Sequence, residues 1–440
     1  MPRKLEIAHK DRVDQLYALI ANEEDARLCA DIPDAACREV PRNFFVMITS
    51  LVLTKVGDLL ASPKVVLAWL LGAVGAPSAL VGLLVPLREA GALVPQMAIG
   101  AWVRRHAHRA GFWVAGSLVQ GASVAGMAGA AWWLDGAAAG WTVIGLLALF
   151  ALARGLCSVA MKDVQGKCIP KARRGRMGGL ATTLAGLAVL GLSIVLFGQE
   201  AEPSRGFYAL LLLVAAALWM LAALLFTRVD EYAGETGGGR SVFAEIARSG
   251  RLLLDDAPFR RFVVTRALLM CSALAAPFFV LLAQRGGAGA QLLGAFLVAS
   301  SLASSLSSSI WGWMADTSSR RVMILAGSIS AAATLAMALV GAAAEGDAPW
   351  LGWTVAVAYF VLSIAHDGVR IGRKTYLVDM AGGNRRTDYV AVSNTAIGVA
   401  LLAVGGLSGL AATVSVEAAL ALLGAMGAAG VIAAVTLREA

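Results

Sequence analysis

The sequence predicts an all-α polytopic membrane protein, with twelve transmembrane helices in two pseudo-symmetric six-helix bundles. Three observations carry this prediction. The first is composition: of 440 residues, 58% are hydrophobic and only 15% charged, and the mean hydropathy is +0.73. A water-soluble domain needs more polar surface than that. The second is a succession of apolar stretches, most of them about 20 residues or longer, the length a helix needs to cross a bilayer. The third is an internal repeat. A shift of 212 residues pairs Gly82 with Gly294, Gly100 with Gly312, Arg109 with Arg321 and Lys162 with Lys374. It also pairs Arg173-Arg174 with Arg385-Arg386, Thr183 with Thr395 and Gly186 with Gly398, while Gly116-Ser117 matches Gly327-Ser328 at 211. A parallel repeat of half the chain marks two bundles related by an axis along the membrane normal.

Residues 1–42 are polar, carry both signs of charge and lack the apolar core of a signal peptide. Val13, Leu16, Tyr17 and Ile20 recur at i, i+3, i+4 and i+7, which predicts a short amphipathic helix on the cytoplasmic face. Membrane helices follow near 43–73, 77–101, 110–133, 138–162, 175–198 and 205–227. The first is long for a bilayer; either Pro63 inside it kinks the helix or its outer end projects beyond the lipid. Residues 228–257 form a polar stretch made flexible by Gly237-Gly238-Gly239. Six further helices are predicted near 259–284, 288–314, 320–343, 350–376, 387–413 and 415–437. The chain therefore divides into an N-terminal segment 1–42, a first bundle 43–227, a cytoplasmic linker 228–257 and a second bundle 258–440.

Loop charges set the orientation. Arg104, Arg105, Arg109, Lys167, Lys171, Arg173, Arg174, Arg176, Arg320, Arg321, Arg373, Lys374, Arg385 and Arg386 all fall on one side. The opposite connections hold Arg205 and Arg285 among the acids Asp135, Glu200, Glu202, Glu345 and Asp347. Basic loops stay inside, so both termini are expected in the cytoplasm. This also accounts for the net charge of +8 without nucleic acid as a partner.

Charges inside the spans are the candidate functional residues. Lys55 and Asp58 share one face of the first helix, and Arg88 and Glu89 lie near the middle of the second. Arg154 lies in the fourth, Arg266 in the seventh, and His366, Asp367 and Arg370 in the tenth. Each would cost roughly 2.5–3.5 kcal/mol facing lipid, so together they must face one another or an aqueous cavity. In a structural role, Asp58 pairs with Arg88 or Lys55, and Asp367 with Arg370. In a functional role, Asp58 or Glu89 gains and loses a proton as its surroundings alternate, and Arg88 and Arg154 hold substrate charge. Arg266 and His366 are read as structural.

The stretch Gly312-Trp313-Met314-Ala315-Asp316-Thr317-Ser318-Ser319-Arg320-Arg321 is a short charged turn whose helices are expected to pack closely at Gly312. It resembles the cytoplasmic loop of major facilitator superfamily transporters: glycine, three residues, aspartate, then arginines. The first copy, Gly100 to Arg109, departs from that pattern at Arg104, where the family has aspartate. The resemblance covers about residues 43–437. It implies the major facilitator fold, alternating access around a central site, and two loops that close the cytoplasmic side. Gly100, Arg104 and Arg109 would act in one loop, and Gly312, Asp316, Arg320 and Arg321 in the other. Arg154 falls on the fourth helix, where many proton-coupled members carry an arginine. The fifth helix, from Gly178 to Gly186, lacks the glycine-proline kink of the drug/proton antiporter branch.

Other classes find no support in the residues. There is no GxxxxGK[ST] phosphate loop, no GxSxG or HExxH motif and no CxxC pair. No cofactor and no metal are expected, nor a disulfide in an outer loop. The expected activity is secondary transport of a small polar or charged solute in a bacterial inner membrane, coupled to protons and carried out by a monomer. The alternative is a non-transporting sensor or assembly factor of the same fold.

Overall fold

The computed structural model describes residues 39–197, 203–234, 236, 251–286, 289–344, 349–380 and 385–439. The expected amphipathic helix near the N-terminus, the glycine run of the linker, and Cys29 and Cys37 lie outside these residues. Within them, all regular structure is helical.

The first crossing is not one kinked helix but two, α1 (Val40–Leu60) and α2 (Val66–Ala73). Between them lies Ser62-Pro63-Lys64; proline has no N–H to donate and its ring clashes with the preceding turn, so the helix stops. The second crossing is likewise divided by Pro95, into α3 (Ser78–Leu93) and α4 (Gln96–Val103). Four unbroken helices complete the first half: α5 (Ala110–Trp133), α6 (Gly136–Cys168), α7 (Lys171–Phe197) and α8 (Arg205–Phe226).

The second half opens with α9 (Ala257–Leu269) and α10 (Cys271–Gln284), joined end to end at Met270. Next is α11 (Ala290–Ala343), which runs for 54 residues. A straight helix of that length would span about 80 Å, well over twice the hydrocarbon core. It bends instead at Ser318, whose φ of −161° and ψ of 102° are extended rather than helical, and so crosses twice. The last three helices are α12 (Pro349–Met380), α13 (Arg385–Val414) and α14 (Val416–Val435). Among the described residues, eleven segments are long and apolar enough to cross a membrane, and the bend in α11 makes twelve crossings of them. Leucines and valines such as Leu184, Leu210, Leu224, Leu306 and Val414 point outward and exposed, as they must where the solvent is lipid.

Packing follows the repeat. In the first half α5 lies against α6 and α8, and α1 against α7 and α8. In the second, α11 lies against α12 and α14, and α9 and α10 against α14. The halves meet through α3 with α13, α7 with α11, and α2 and α3 with α10.

The apolar clusters show where the halves touch. One cluster draws on both: Leu67, Trp69 and Leu84 from the first half pack with Phe278, Phe279 and Phe296 from the second. Two others stay within one half each. Phe44, Trp113 and Phe226 belong to the first, and Phe259, Phe262, Trp311 and Tyr376 to the second. The two halves are therefore sealed together at the face where Trp69 lies. They stand apart in their cores at the face of the loops around His106 and Ser318, here called the loop face.

Candidate functional site: a charged cleft between the bundles

Three helices of the first half converge on one carboxylate. Asp58 on α1 accepts a hydrogen bond from Arg88 Nη2 of α3 at 2.7 Å and from Arg154 Nη1 of α6 at 2.6 Å. Arg154 reaches both carboxylate oxygens. The guanidinium of Arg88 also lies 4.9 Å over the ring of Phe150. The expected choice between Arg88 and Lys55 as the partner of Asp58 thus resolves to two arginines, and Lys55 adds its field to the same carboxylate. A single carboxylate between two guanidiniums leaves a surplus of positive charge. Arg154 is the more open of the two arginines, with 36% of its side chain exposed against 10% for Arg88.

Glu89 follows Arg88 on α3 but points elsewhere and is exposed. Its charge acts on Lys64 of the first half and on Arg373 of the second. On α12, Asp367 pairs with Arg370 at 2.9 Å, as the i, i+3 spacing predicts. His366 does not keep to its own half: its Nε2 lies 3.1 Å from Lys64 Nζ, and its Nδ1 lies 3.0 Å from Ser272 Oγ of α10. An ammonium can only donate, so Nε2 accepts and Nδ1 carries the proton toward Ser272. Ser272 Oγ in turn donates to the Leu269 carbonyl at 3.0 Å. This relay joins the two bundles across the cleft.

Arg266 stands outside the cleft, in keeping with the structural role read from the sequence. It donates to Ser393 Oγ at 2.6 Å and to Asn394 Oδ1 at 3.0 Å, tying α9 to α13 within the second half.

The loop arginines Arg109 and Arg320 make bonds within their own halves. Arg109 is buried against Asp163 of α6, and its backbone N–H donates to Glu231, beyond the end of α8. Arg320 donates to the Leu437 carbonyl at 2.8 Å and pairs with Glu439 at 3.1 Å, beyond the end of α14. Each half therefore uses an arginine of this loop to hold the tail of its own last helix. Arg104, Asp316 and Arg321 are exposed. Close packing at Gly312 is not found: a Cβ built there would meet no atom within 4 Å. A Cβ at Gly100 would meet only the mobile end of Arg104, at 3.7 Å. The physical reason is that each loop packs beside the apolar cluster of its own half, and those two clusters do not merge at this face.

Two residues of the cleft escaped the sequence reading. Lys64 stands next to Pro63, and a lysine beside a helix break deep in an apolar stretch is the sequence signal for it. Arg373 was counted among the charges that set topology. In the structure α12 continues to Met380, and Arg373 sits within it, its guanidinium against the Met270 sulfur and in the field of Glu89.

No protein-family model matches the chain, and no curated protein matches it in sequence. Solved structures do resemble it. A mutant of the nucleoside transporter NupG superposes with a TM-score of 0.69 at 11% identity, covering 90% of this chain and all 100% of that one. A POT family transporter in complex with 5-aminolevulinic acid gives 0.67 at 12% identity, covering 89% and 95%. The xylose transporter XylE from E. coli, in an inward open conformation, gives 0.63 at 12% identity, covering 91% and 97%. At such identities the likeness is one of fold: two pseudo-symmetric bundles of six helices, the fold of the major facilitator transporters.

Proposed function

We propose that this chain is a secondary active transporter that carries a small polar or charged solute by alternating access, coupled to protons. One observation carries the reading: ionisable side chains from both halves face one another in a cleft that is sealed at one face while the cores stand apart at the other. Intramembrane charge of this kind is costly unless water or a ligand reaches it. The halves rock around the cleft, and the apolar seal near Trp69 opens as the loop face closes.

The loop face is the cytoplasmic one, in a bacterial inner membrane. Arg104, Arg105, Lys167, Arg174, Arg320 and Arg321 lie there. On the opposite face Arg205 is paired with Asp135 and Arg285 with Glu417, which leaves little net positive charge. The division into bundles 43–227 and 258–440 with a linker at 228–257 belongs to the same proposal, as does function as a monomer.

Arg88 and Arg154, with Asp58 between them, form a fixed cationic wall for substrate. Asp367 and Arg370 are the second bundle's contribution. Glu89 is the proton carrier: it is exposed, and no guanidinium within hydrogen-bonding distance would have to be given up when it binds a proton. Asp58 holds two arginines, and protonating it would break both attachments. In the closed state of the loop face, Gly100, Arg104, Arg109, Gly312, Asp316, Arg320 and Arg321 come together as the gate.

The test compares small molecules inside cells and in the medium for a deletion strain, the restored strain, and strains restored with Asp58→Asn or Glu89→Gln at equal membrane levels. A compound retained by the deletion strain marks an exporter and names its cargo; one left in the medium marks an importer. Wild-type protein that changes nothing under several growth conditions would favour the sensor or assembly role. Once the solute is known, uptake into proteoliposomes is measured with and without a pH gradient. Glu89→Gln is expected to abolish the dependence on that gradient, and full dependence in the Asp58→Asn, Glu89→Gln double variant would exclude both carboxylates.

A further inference from the structure

We infer that the carried solute is an anion, held by a carboxylate or phosphate group between Lys64 of the first bundle and Arg373 of the second, with Glu89 as the counter-ion it displaces. The inference rests on the transport reading and names its substrate class.

The argument is one of charge and partners. The cleft gathers six cations, Lys55, Lys64, Arg88, Arg154, Arg370 and Arg373, against three carboxylates, Asp58, Glu89 and Asp367. Two of the carboxylates are already engaged. Asp58 is shared by Arg88 and Arg154, and Asp367 is held by Arg370. Three cations remain: Lys55, which lies in the field of Asp58, and Lys64 and Arg373, whose hydrogen-bond partners among the described residues are neutral. Lys64 donates to an imidazole nitrogen, and Arg373 contacts a thioether sulfur, a weak acceptor. These two come from opposite bundles and act on each other electrostatically. Like charges facing each other across a membrane interface repel, and among the described residues Glu89 is the carboxylate that acts on both, with Asp367 acting on Lys64 as well.

A net positive cleft with low-dielectric walls concentrates anions. An ammonium and a guanidinium on opposing bundles are also the donors that a carboxylate or phosphate oxyanion recognises. The anion bridges the bundles, so it draws them together as it binds, which is the differential contact that moves a two-state equilibrium. Glu89 fits the same scheme as a competitor. While ionised it balances Lys64 and Arg373; on taking a proton it releases them to the incoming anion. The groups that face Glu89 are Lys64 from the α1–α2 break, Arg88 beside it on α3, Arg154 on α6 and Arg373 on α12. All are cations, so its proton and the anion enter as a pair with no net change of charge at this position.

The test is binding by the full chain in lipid nanodiscs, followed by calorimetry at fixed ionic strength. Succinate and inorganic phosphate serve as probes, with choline and glucose for comparison. Saturable binding of succinate or of phosphate, and not of choline or glucose, is the expected result, and whichever anion binds tells carboxylate from phosphate. Lys64→Gln and Arg373→Gln should each weaken that binding by about 10- to 100-fold, the worth of one charge-assisted hydrogen bond. Arg373→Lys should recover part of it, which separates lost charge from misfolding, and Arg205→Gln at the opposite face should change nothing. Glu89→Gln, which removes the competing carboxylate charge, should tighten binding; weaker binding in that variant would remove Glu89 from the scheme. If neither anion binds better than choline and glucose, the inference is overturned while transport of some other solute stands. If the anions bind but are not moved into proteoliposomes, the transport reading fails and the anion site remains.

Discussion

Gly82 of α3 and Gly409 of α13 bring the backbones of the two bundles into contact: a Cβ at position 82 would lie 2.7 Å from both the Cα and the nitrogen of Gly409. Ser78, one helical turn away, donates to the Ala412 carbonyl at 2.8 Å across the same seam. Backbone cannot swing aside as a side chain can, so this crossing is possible only with glycine on both sides.

Gly82→Val should therefore disfavour the state in which the Trp69 face is sealed. Overpacking of this kind costs about 1–3 kcal/mol, a shift of about 5- to 150-fold between two states. Leu67 is fully buried in the seal, so a Leu67→Cys reporter should resist a membrane-impermeant maleimide in an otherwise wild-type chain. Adding Gly82→Val should raise its labelling rate. An unchanged rate would mean that this seam does not govern closure.

Asp58 offers a second prediction, because removing an acceptor differs from removing a donor. Asp58→Asn leaves Arg88 and Arg154 facing each other without a carboxylate, whereas Arg88→Gln leaves a neutral Asp58–Arg154 pair. Breaking a buried pair from one side costs about 3–5 kcal/mol, reduced here because the Arg154 side chain is 36% exposed. Asp58→Asn should lower the thermal unfolding temperature more than Arg88→Gln does. The double variant should be no worse than Asp58→Asn alone. Additive losses would show that the arginines do not depend on Asp58.

The tails of the two bundles make a matched comparison. Glu231 is buried, with 3% of its side chain exposed, and it accepts from Lys167 Nζ at 2.7 Å and from the backbone of Arg109 and Ala110 at the start of α5. It supplies the cap that α5 lacks from its own N-cap residue. Glu439 meets Arg320 with 49% of its side chain exposed. Glu231→Gln should cost about 2–3 kcal/mol and Glu439→Gln less than about 1 kcal/mol, read from thermal unfolding in the same detergent. Equal losses would show that burial is not what sets the strength of these tail contacts.

These sites also show what a sequence can and cannot display. The twelve crossings were legible because lipid forces every span to be long, apolar and internally hydrogen-bonded, and even the bend at Ser318 falls inside the charged turn between two predicted spans. The cleft charges on α1, α3, α6 and α12 were legible for the same reason, since each violates the rule. Their partners were not. Arg109 and Glu231 are 122 positions apart, and Lys64 and His366 are 302 apart, so only packing reveals that they meet. Lys64 goes unread beside the proline break, and Arg373 reads as a basic helix end; in each case a local explanation conceals a long-range one. The loops around Arg104 and Asp316 are a different case: the gate role proposed for them needs a state in which the halves meet at the loop face.

Gly312 supplies the last prediction, through that other state. A Cβ there meets open space, so Gly312→Leu should leave thermal stability within about 0.5 kcal/mol, as for a surface change that touches nothing. If the loop face must close around Gly312 during the cycle, the added side chain opposes that closure and transport should fall steeply. In the Leu67→Cys reporter chain, Gly312→Leu should lower the rate of maleimide labelling if, as alternating access requires, the seal near Trp69 opens only when the loop face shuts. Gly82→Val and Gly312→Leu thus push one equilibrium in opposite directions from opposite faces. Combining them should bring the labelling rate back toward that of the parent reporter while leaving transport impaired, since both end states are then strained. A double variant that labels like Gly82→Val alone would mean that the two faces do not move together, and alternating access would lose its basis in this fold.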